Sequence, residues 1–463
     1  MRNDAVSSTG RGRHLRKAGR EALELKVGAK VEETVLRNGM RLIVAERRSD
    51  PVVASVLFYS VGARNETERE AGVSHFLEHM MFKGSRSFGK GEVDRVTTEL
   101  GGQNNAYTGY DHTAYWFEFA SDRWERALDI EVDRMTHLLL EEREFEAERD
   151  VVLEELAMGE DDPWRLLTEH IERSVFPRHP YGRPIIGYSE SLQRMTPDVM
   201  RAYYRRFYHP ANATLVIAGD VSRAKAVREV RTRFAALPAG PSREESDCFR
   251  PVLREPAGPV HVETAWDDEA KRFMVAWPTV PVATPADYAL DLALVILTGG
   301  RMSRLQRRLV FDSGLATSVS ASNDTRVESG AFWLFVECAR DASEAELERA
   351  LDEEIERLAS RKVGAAELAR AKSVMRSSEA FDGEAVSDLA EELGELAVDA
   401  DWRIAFDGKV RHDRVDAGDV RRAVATYLAP RRRVSGWSLP RSIRVVAPPS
   451  RVGKRGKKAA KRR

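Results

Sequence analysis

The chain predicts an α+β fold of two homologous units, each an antiparallel sheet carrying helices. Three observations predict it. Short β-prone runs alternate with longer amphipathic stretches of helical period in both halves. A stretch with five prolines, residues 238–259, separates them. Beyond it the order strand, loop, helix restarts, as a duplicated unit would. The boundaries that follow are a basic, disordered segment at 1–27, a first domain at 28–237, a linker at 238–259, a second domain at 260–447 and a basic, disordered tail at 448–463.

Taken in order, residues 32–36 and 40–46 flank Asn38-Gly39, a pair suited to the tight turn of a hairpin. Residues 52–61 are a β-prone apolar run. A polar loop, 62–72, leads into a helix within 72–84. A second helix at 90–100 is stopped by Gly101-Gly102. Residues 103–119, rich in Thr, Tyr, Trp and Phe, read as a strand pair turning near 109–112. Helices follow at 124–140, at 141–158, which is very acidic, and at 163–176, opened by Pro163. A helix at 196–207, an apolar strand at 213–218 and a helix at 221–237 close the first half. In the second half, strands are expected at 260–264 and 272–277. An apolar helix at 286–297 has Pro285 at its opening, and Gly299-Gly300 and a segment at 303–311 follow. A strand at 331–339 and helices at 345–361 and 365–380 complete the reading.

Composition narrows the function. At 463 residues, 42% of them hydrophobic, the chain holds more than one core. A net charge of −1 sets up no whole-chain field toward nucleic acid or membrane. No apolar run approaches membrane-span length. Cys248 and Cys338 stand far apart, without metal spacing, and fit free thiols in a reducing, cytoplasmic compartment. The six basic residues among the first twenty are followed by no apolar segment, which argues against a secretory signal. The eight basic residues of 450–463 read as a solvated tail, with contact to an acidic partner or nucleic acid the lesser alternative.

The stretch most suggestive of chemistry is GVSHFLEHMMFKG, residues 72–84. On a helix, His75 and His79 stand one above the other on one face, placed to hold one zinc ion. Glu78 lies beside them, within reach of a water on that metal. Zinc lowers the pKa of such a water, and a neighbouring carboxylate takes its proton. The order HxxEH inverts the commoner zinc-peptidase helix. The alternative is a helix with two unliganded histidines over a core of Phe76, Leu77, Met80 and Met81. Hydrolytic zinc usually has three protein ligands and an open vertex. The acidic helix offers Glu148, Glu154 and Glu155. Glu148 and Glu155 share a face, but spacing does not choose between Glu154 and Glu155, and most acids in such a run are a solvated face. Only His261 and His412 lie beyond residue 250, so one metal site per chain is the ceiling.

With HFLEH at 75–79, NNAYTGYDHTAY at 104–115 and ERDVVLEELAM at 148–158, the chain resembles the inverted-zincin peptidases related to pitrilysin, insulin-degrading enzyme and the mitochondrial processing peptidase. HPYGRPIIG at 179–187 and GGRMSRL at 299–305 support the likeness, which is greatest to the short bacterial branch with two homologous domains per chain. The resemblance implies half of a clam-shaped chamber, the first domain binding one Zn²⁺ and the second metal-free. It implies His75, His79 and Glu155 as ligands, Glu78 as general base and Glu148 as an outer carboxylate that orients a ligand or balances charge. It places Asn105, Ala106 and Tyr107 on an edge strand to which a substrate peptide adds by main-chain pairing, with Phe82 lining a side-chain pocket. Core packing is the alternative for Tyr107 and Phe82.

One departure bears on partners. The family's metal-free domain usually supplies an Arg and, seven residues on, a Tyr that bind the substrate backbone and the tetrahedral intermediate. Here those positions read Val310 and Thr317. The expectation is a zinc endopeptidase of extended peptides, the catalytic subunit of a heterodimer whose homologous partner lacks HxxEH and supplies the Arg and Tyr. The alternatives are a zinc-bound scaffold subunit and a self-sufficient homodimeric peptidase.

Overall fold

The computed structural model describes residues 23–24, 29–246, 253–254, 256–381 and 385–441. Most of both basic ends and Cys248 lie outside these residues, whereas Cys338 is a buried free thiol. The first sheet contains β1 (Leu23–Glu24), β2 (Lys30–Val35), β3 (Arg41–Glu46), β4 (Val52–Tyr59), β5 (Gln103–Thr108), β6 (Thr113–Ala120) and β7 (Ala213–Gly219), in the order β1-β2-β3-β7-β4-β6-β5. Gly39, with φ 87°, supplies the positive φ of the β2–β3 turn. Leu23 and Glu24 pair with Val31 and Lys30, so this part of the segment expected to be disordered is a strand.

Eight helices accompany this sheet: α1 (Val73–Met80), α2 (Glu92–Glu99), α3 (Glu125–His137), α4 (Glu142–Glu160), α5 (Pro163–Val175), α6 (Ser189–Arg194), α7 (Pro197–Phe207) and α8 (Arg223–Phe234). The proline-rich linker contains one short helix, α9 (Arg243–Ser246), against which Arg206 donates from Nε to the Ser246 carbonyl at 2.8 Å. The second half holds β8 (Val260–Trp266), β9 (Arg272–Pro278), β10 (Ala316–Thr325), β11 (Gly330–Cys338) and β12 (Val434–Pro440). Its helices are α10 (Pro285–Thr298), α11 (Glu344–Ser360), α12 (Ala365–Phe381), α13 (Val386–Asp399), α14 (Ile404–Arg414) and α15 (Ala417–Tyr427), and the segment expected at 303–311 is a π-helical turn, Gln306–Asp312.

The duplication is explicit in the topology. The order β3-β7-β4-β6-β5 in the first sheet is matched by β8-β12-β9-β11-β10 in the second. Directions match too: β3–β7 and β8–β12 are parallel, and the remaining pairs are antiparallel. Each sheet is antiparallel, as expected, but for this one parallel pair. In the place of α1, between β9 and β10, the second copy has α10, whose Tyr288, Leu290, Leu292, Val295, Ile296 and Leu297 are all buried. That helix carries no histidine.

The two halves exchange a helix. One face of the first sheet packs on α1, α3, α7 and α8; the other is covered by Leu389, Ala390, Leu393 and Ala397 of α13, from the second half. Conversely, Leu167, Ile171 and Val175 of α5, from the first half, pack on Met274, Ala276 and Trp333 of the second sheet. A buried ionic junction pins the halves together. Arg326, in the β10–β11 turn, pairs with Glu172 of α5 at 2.5 Å and lies 3.9 Å over the Tyr110 ring. Arg64 bridges Asp111 at 2.6 Å and Glu328 at 3.0 Å. Removing one partner of such a buried pair strands the other charge.

The α13 contact is tight at Gly394, where an added Cβ would lie 1.9 Å from Cε2 of Phe58 on β4. Gly394→Val should therefore destabilise the chain by about 1–3 kcal/mol through overpacking, read as a lower denaturation midpoint. An unchanged midpoint would show that α13 does not seat on the first sheet.

Candidate metal centre

Helix α1 carries two interleaved patterns. Val73, Phe76, Leu77 and Met80, spaced as one apolar stripe, are buried in the first core. Burial of each large side chain is worth about 1.5–3 kcal/mol. The same periodicity turns His75, Glu78 and His79 away from that stripe. The helix begins at Gly72, whose φ of 92° suits glycine, and a Cβ there would lie 2.4 Å from the Ile186 carbonyl oxygen. Its first turn is capped by Glu66, unremarked in the sequence reading. Glu66 Oε2 accepts from the Gly72 N–H at 2.9 Å and Oε1 from the Ser74 N–H at 2.8 Å. This carboxylate satisfies two orphan donors at the positive end of the helix.

Helix α4 lies against α1, with the Phe145 ring 4.6 Å from Phe76, and buries Phe145, Glu148, Val152 and Leu156. That packing brings Glu155 Oε1 to 3.6 Å from His75 Nε2 and Glu155 Oε2 to 3.5 Å from His79 Nε2. One ligand atom from each of the three residues lies within 4.8 Å of the other two. Glu154, the alternative left open by spacing, is exposed and takes no part in this group.

The three donors fit a tetrahedral zinc ion. Bonds of about 2.0–2.1 Å at tetrahedral angles put neighbouring donor atoms about 3.3 Å apart; each imidazole stands near that distance from a different oxygen of Glu155, 3.6 Å for His75 and 3.5 Å for His79, within a group no wider than 4.8 Å. Two imidazole nitrogens and one carboxylate oxygen are a hydrolytic donor set. Burial, then the neighbouring His79 and Arg165 charges, push His75 down to about 4, so its ring is neutral, as a ligand must be. Burial also opposes charge on His79, but Glu148, Glu155 and Glu78 outweigh it and hold its pKa above the ordinary value. Glu148 Oε1 accepts from His79 Nδ1 at 2.9 Å and its Oε2 from Lys83 Nζ at 2.6 Å. His75 Nδ1, by contrast, is buried with no hydrogen-bond partner among the described residues.

Glu78 is positioned by a residue that sequence reasoning passed over. Thr108 Oγ1, at the end of β5, donates to Glu78 Oε2 at 2.5 Å, leaving Oε1 for other work. Burial raises the Glu78 carboxyl pKa, with Glu155 adding to it and the Thr108 hydrogen bond and the His79 charge opposing.

β5 is an edge strand of the first sheet. Ala106 packs against the α1 side, whereas Tyr107 packs against the α13 side. Tyr107 donates from its hydroxyl to Glu395 at 2.9 Å and sits edge-on to His112. Its side chain thus points away from the His-Glu cluster, because neighbouring strand residues face opposite ways. The Ala106 N–H bonds the Asn105 side-chain oxygen at 2.9 Å. Phe82 is half-buried, packed on the first core 6.4 Å from the Tyr115 ring. Val310 lies in the π-helical turn, partly packed on the second core. Thr317 falls at the irregularity in β10–β11 pairing and donates to the Glu337 carbonyl at 3.2 Å. Neither brings a cationic or phenolic donor.

Fold and centre together define a two-sheet α+β peptidase half-chamber with an inverted HxxEH helix. The model for "Insulinase (Peptidase family M16)" matches residues 41–189 and that for "Peptidase M16 inactive domain" matches residues 194–375. A protein of Rickettsia felis called an uncharacterized zinc protease is 31% identical over 360 residues, 78% of this chain and 85% of its own. The chain belongs to peptidase family M16, whose relatives are zinc proteases. A protease from Helicobacter pylori shares the fold with a TM-score of 0.83 at 24% identity, over 89% of this chain and all of that one (100%). The periplasmic protease PqqL from Escherichia coli matches with a TM-score of 0.75 at 19% identity, over 90% of this chain but 48% of that one.

Burial of Glu66, against the hydrogen bonds from Ser74 and Gly72 and the Arg183 charge, pushes its carboxyl up from 4.5 to about 7. A raised folded-state pKa on an acid means that its contribution to stability is greatest below the ordinary value and is lost as pH rises toward the folded one. Glu66→Gln should flatten that fall. Between about pH 5 and pH 7.5 the wild type should lose on the order of 2 kcal/mol more stability than the variant in urea unfolding. Parallel pH profiles would contradict this account of the cap.

Proposed function

We propose that the chain is a zinc-dependent endopeptidase of extended peptides, the catalytic subunit of a two-subunit chamber. The observation that carries this reading is the convergence of His75, His79 and Glu155 beside Glu78. Zinc held by those three residues would supply Lewis acidity toward a water and a scissile carbonyl. Glu78 acts as general base through Oε1, the oxygen not engaged by Thr108, and returns the proton to the leaving amine nitrogen. Thr108 keeps the carboxylate from swinging away. A scaffold role alone gives no reason for a carboxylate base held in this way.

The substrate strand pairs with the β5 edge through its main chain. The Asn105 side chain yields the Ala106 N–H to it, and Tyr107 stays with α13 as support for the strand. Edge pairing selects peptides that are already extended, which folded proteins do not present. A partner completes the site. Val310 and Thr317 provide no oxyanion donor of the Arg-and-Tyr kind, and the fold corresponds to 48% of the PqqL chain. A homologous subunit lacking HxxEH but keeping the Arg and Tyr fits both facts.

With such a partner present, Glu78→Gln should keep its zinc and lose turnover by about 10³-fold on a quenched fluorescent peptide. His75→Ala should lose both metal and turnover. Equal turnover by wild type and Glu78→Gln would favour the scaffold. Full activity from the purified chain alone would remove the need for a partner.

A further inference from the structure

Lys83 lies just beyond α1, where its N–H bonds the Met80 carbonyl at 3.0 Å. It stands four residues after His79. The two side chains grip one carboxylate, that of Glu148, at both oxygens: His79 Nδ1 at Oε1, 2.9 Å, and Lys83 Nζ at Oε2, 2.6 Å. Glu148 is 6% exposed, on the α4 helix that carries Glu155 two turns further on. We propose that Lys83 is a positioning residue of the metal centre: it clamps Glu148 so that Glu148 fixes the tautomer and ring angle of His79. The inference rests on the zinc reading above.

The chemistry follows from the donors present. An ionised carboxylate only accepts, so His79 keeps its proton on Nδ1 and turns the Nε2 lone pair toward Glu155, 3.5 Å away. A carboxylate held at one oxygen still rotates about its side-chain torsions; held at both, it does not. The clamp also bridges α1 to α4, and so ties the helix bearing both imidazoles to the helix bearing the third ligand. It has no counterpart at the other histidine, since His75 Nδ1 is buried without a partner among the described residues. Orientation of the pair of imidazoles through their outer nitrogens therefore falls to His79, Glu148 and Lys83.

Positioning and plain charge make opposite forecasts. By Coulomb's law alone, removing a cation beside a divalent-ion site tightens binding of that ion. Loss of a clamp loosens it, typically by 10–100-fold for partners of this kind. The test is chelator competition for Zn²⁺ on the full chain, comparing wild type with Lys83→Met and Lys83→Arg. Lys83→Met, which keeps the apolar stem, should bind zinc at least about tenfold more weakly, and Lys83→Arg should recover most of the loss. Thermal unfolding of the zinc-free proteins should leave the variants within a few degrees of wild type, so that the change reports the site rather than the fold. Unchanged or tighter zinc binding by Lys83→Met overturns the role given to Lys83 while leaving the zinc reading intact. Absence of zinc binding by the wild type overturns the zinc reading and this inference with it.

Discussion

The packing of α1 on α4 is the constraint on which the rest of the centre depends. Neither helix holds a complete donor set. His75 and His79 come from one and Glu155 from the other, and the contact of Phe76 with Phe145 sets their register. A slip of α4 by one residue would turn Glu155 by about 100° around its axis and out of reach of both imidazoles. Apolar packing is too unspecific to hold such a register alone. The polar ties across the same interface, Glu148 to His79 and to Lys83, add the direction that packing lacks.

The candidate ligands lie in one copy of the duplicated topology. The same strand order is built twice, but the helix after β4 and the helix after β9 differ in kind. Helix α1 has an apolar stripe and a polar face; α10 is buried on nearly every side. The acidic residues of α10, Asp287 and Asp291, are engaged by Asn323 and His412. The exchange of α5 and α13 then welds the two units, since each sheet takes a helix from the other half to cover one of its faces. The buried junction of Arg326, Glu172, Arg64 and Asp111 reinforces that weld next to the β5–β6 turn, one residue beyond Thr108.

Much of this was legible from local pattern. Asn38-Gly39 announced a hairpin, and HxxEH interleaved with Val73, Phe76, Leu77 and Met80 announced a helix with a reactive face. What local pattern did not carry were relationships between distant segments. The parallel pairs β3–β7 and β8–β12 join strands more than 150 residues apart, and nothing within either strand names its partner. The strand β10, the helices α13 to α15 and the strand β12 went unread. For α13 the reason is plain: its apolar face answers to a sheet in the other half. Spacing did not separate Glu155 from Glu154, a choice that came from the family resemblance, and the hydrogen bond from Thr108 appears only when α1 and β5 are brought together. Tyr107 lies on the edge strand, as expected, and strand alternation sends its side chain to the α13 face, where Glu395 and His112 hold it.

The central claim is that two imidazole nitrogens and a carboxylate oxygen surround one zinc ion with a vertex left open. X-ray absorption at the zinc edge of the metal-loaded full chain tests it most directly. The account predicts a first shell of nitrogen and oxygen only, at about 2.0–2.1 Å, with outer-shell scattering from two imidazoles. A sulfur shell near 2.3 Å, or a shell without imidazole scattering, would contradict it.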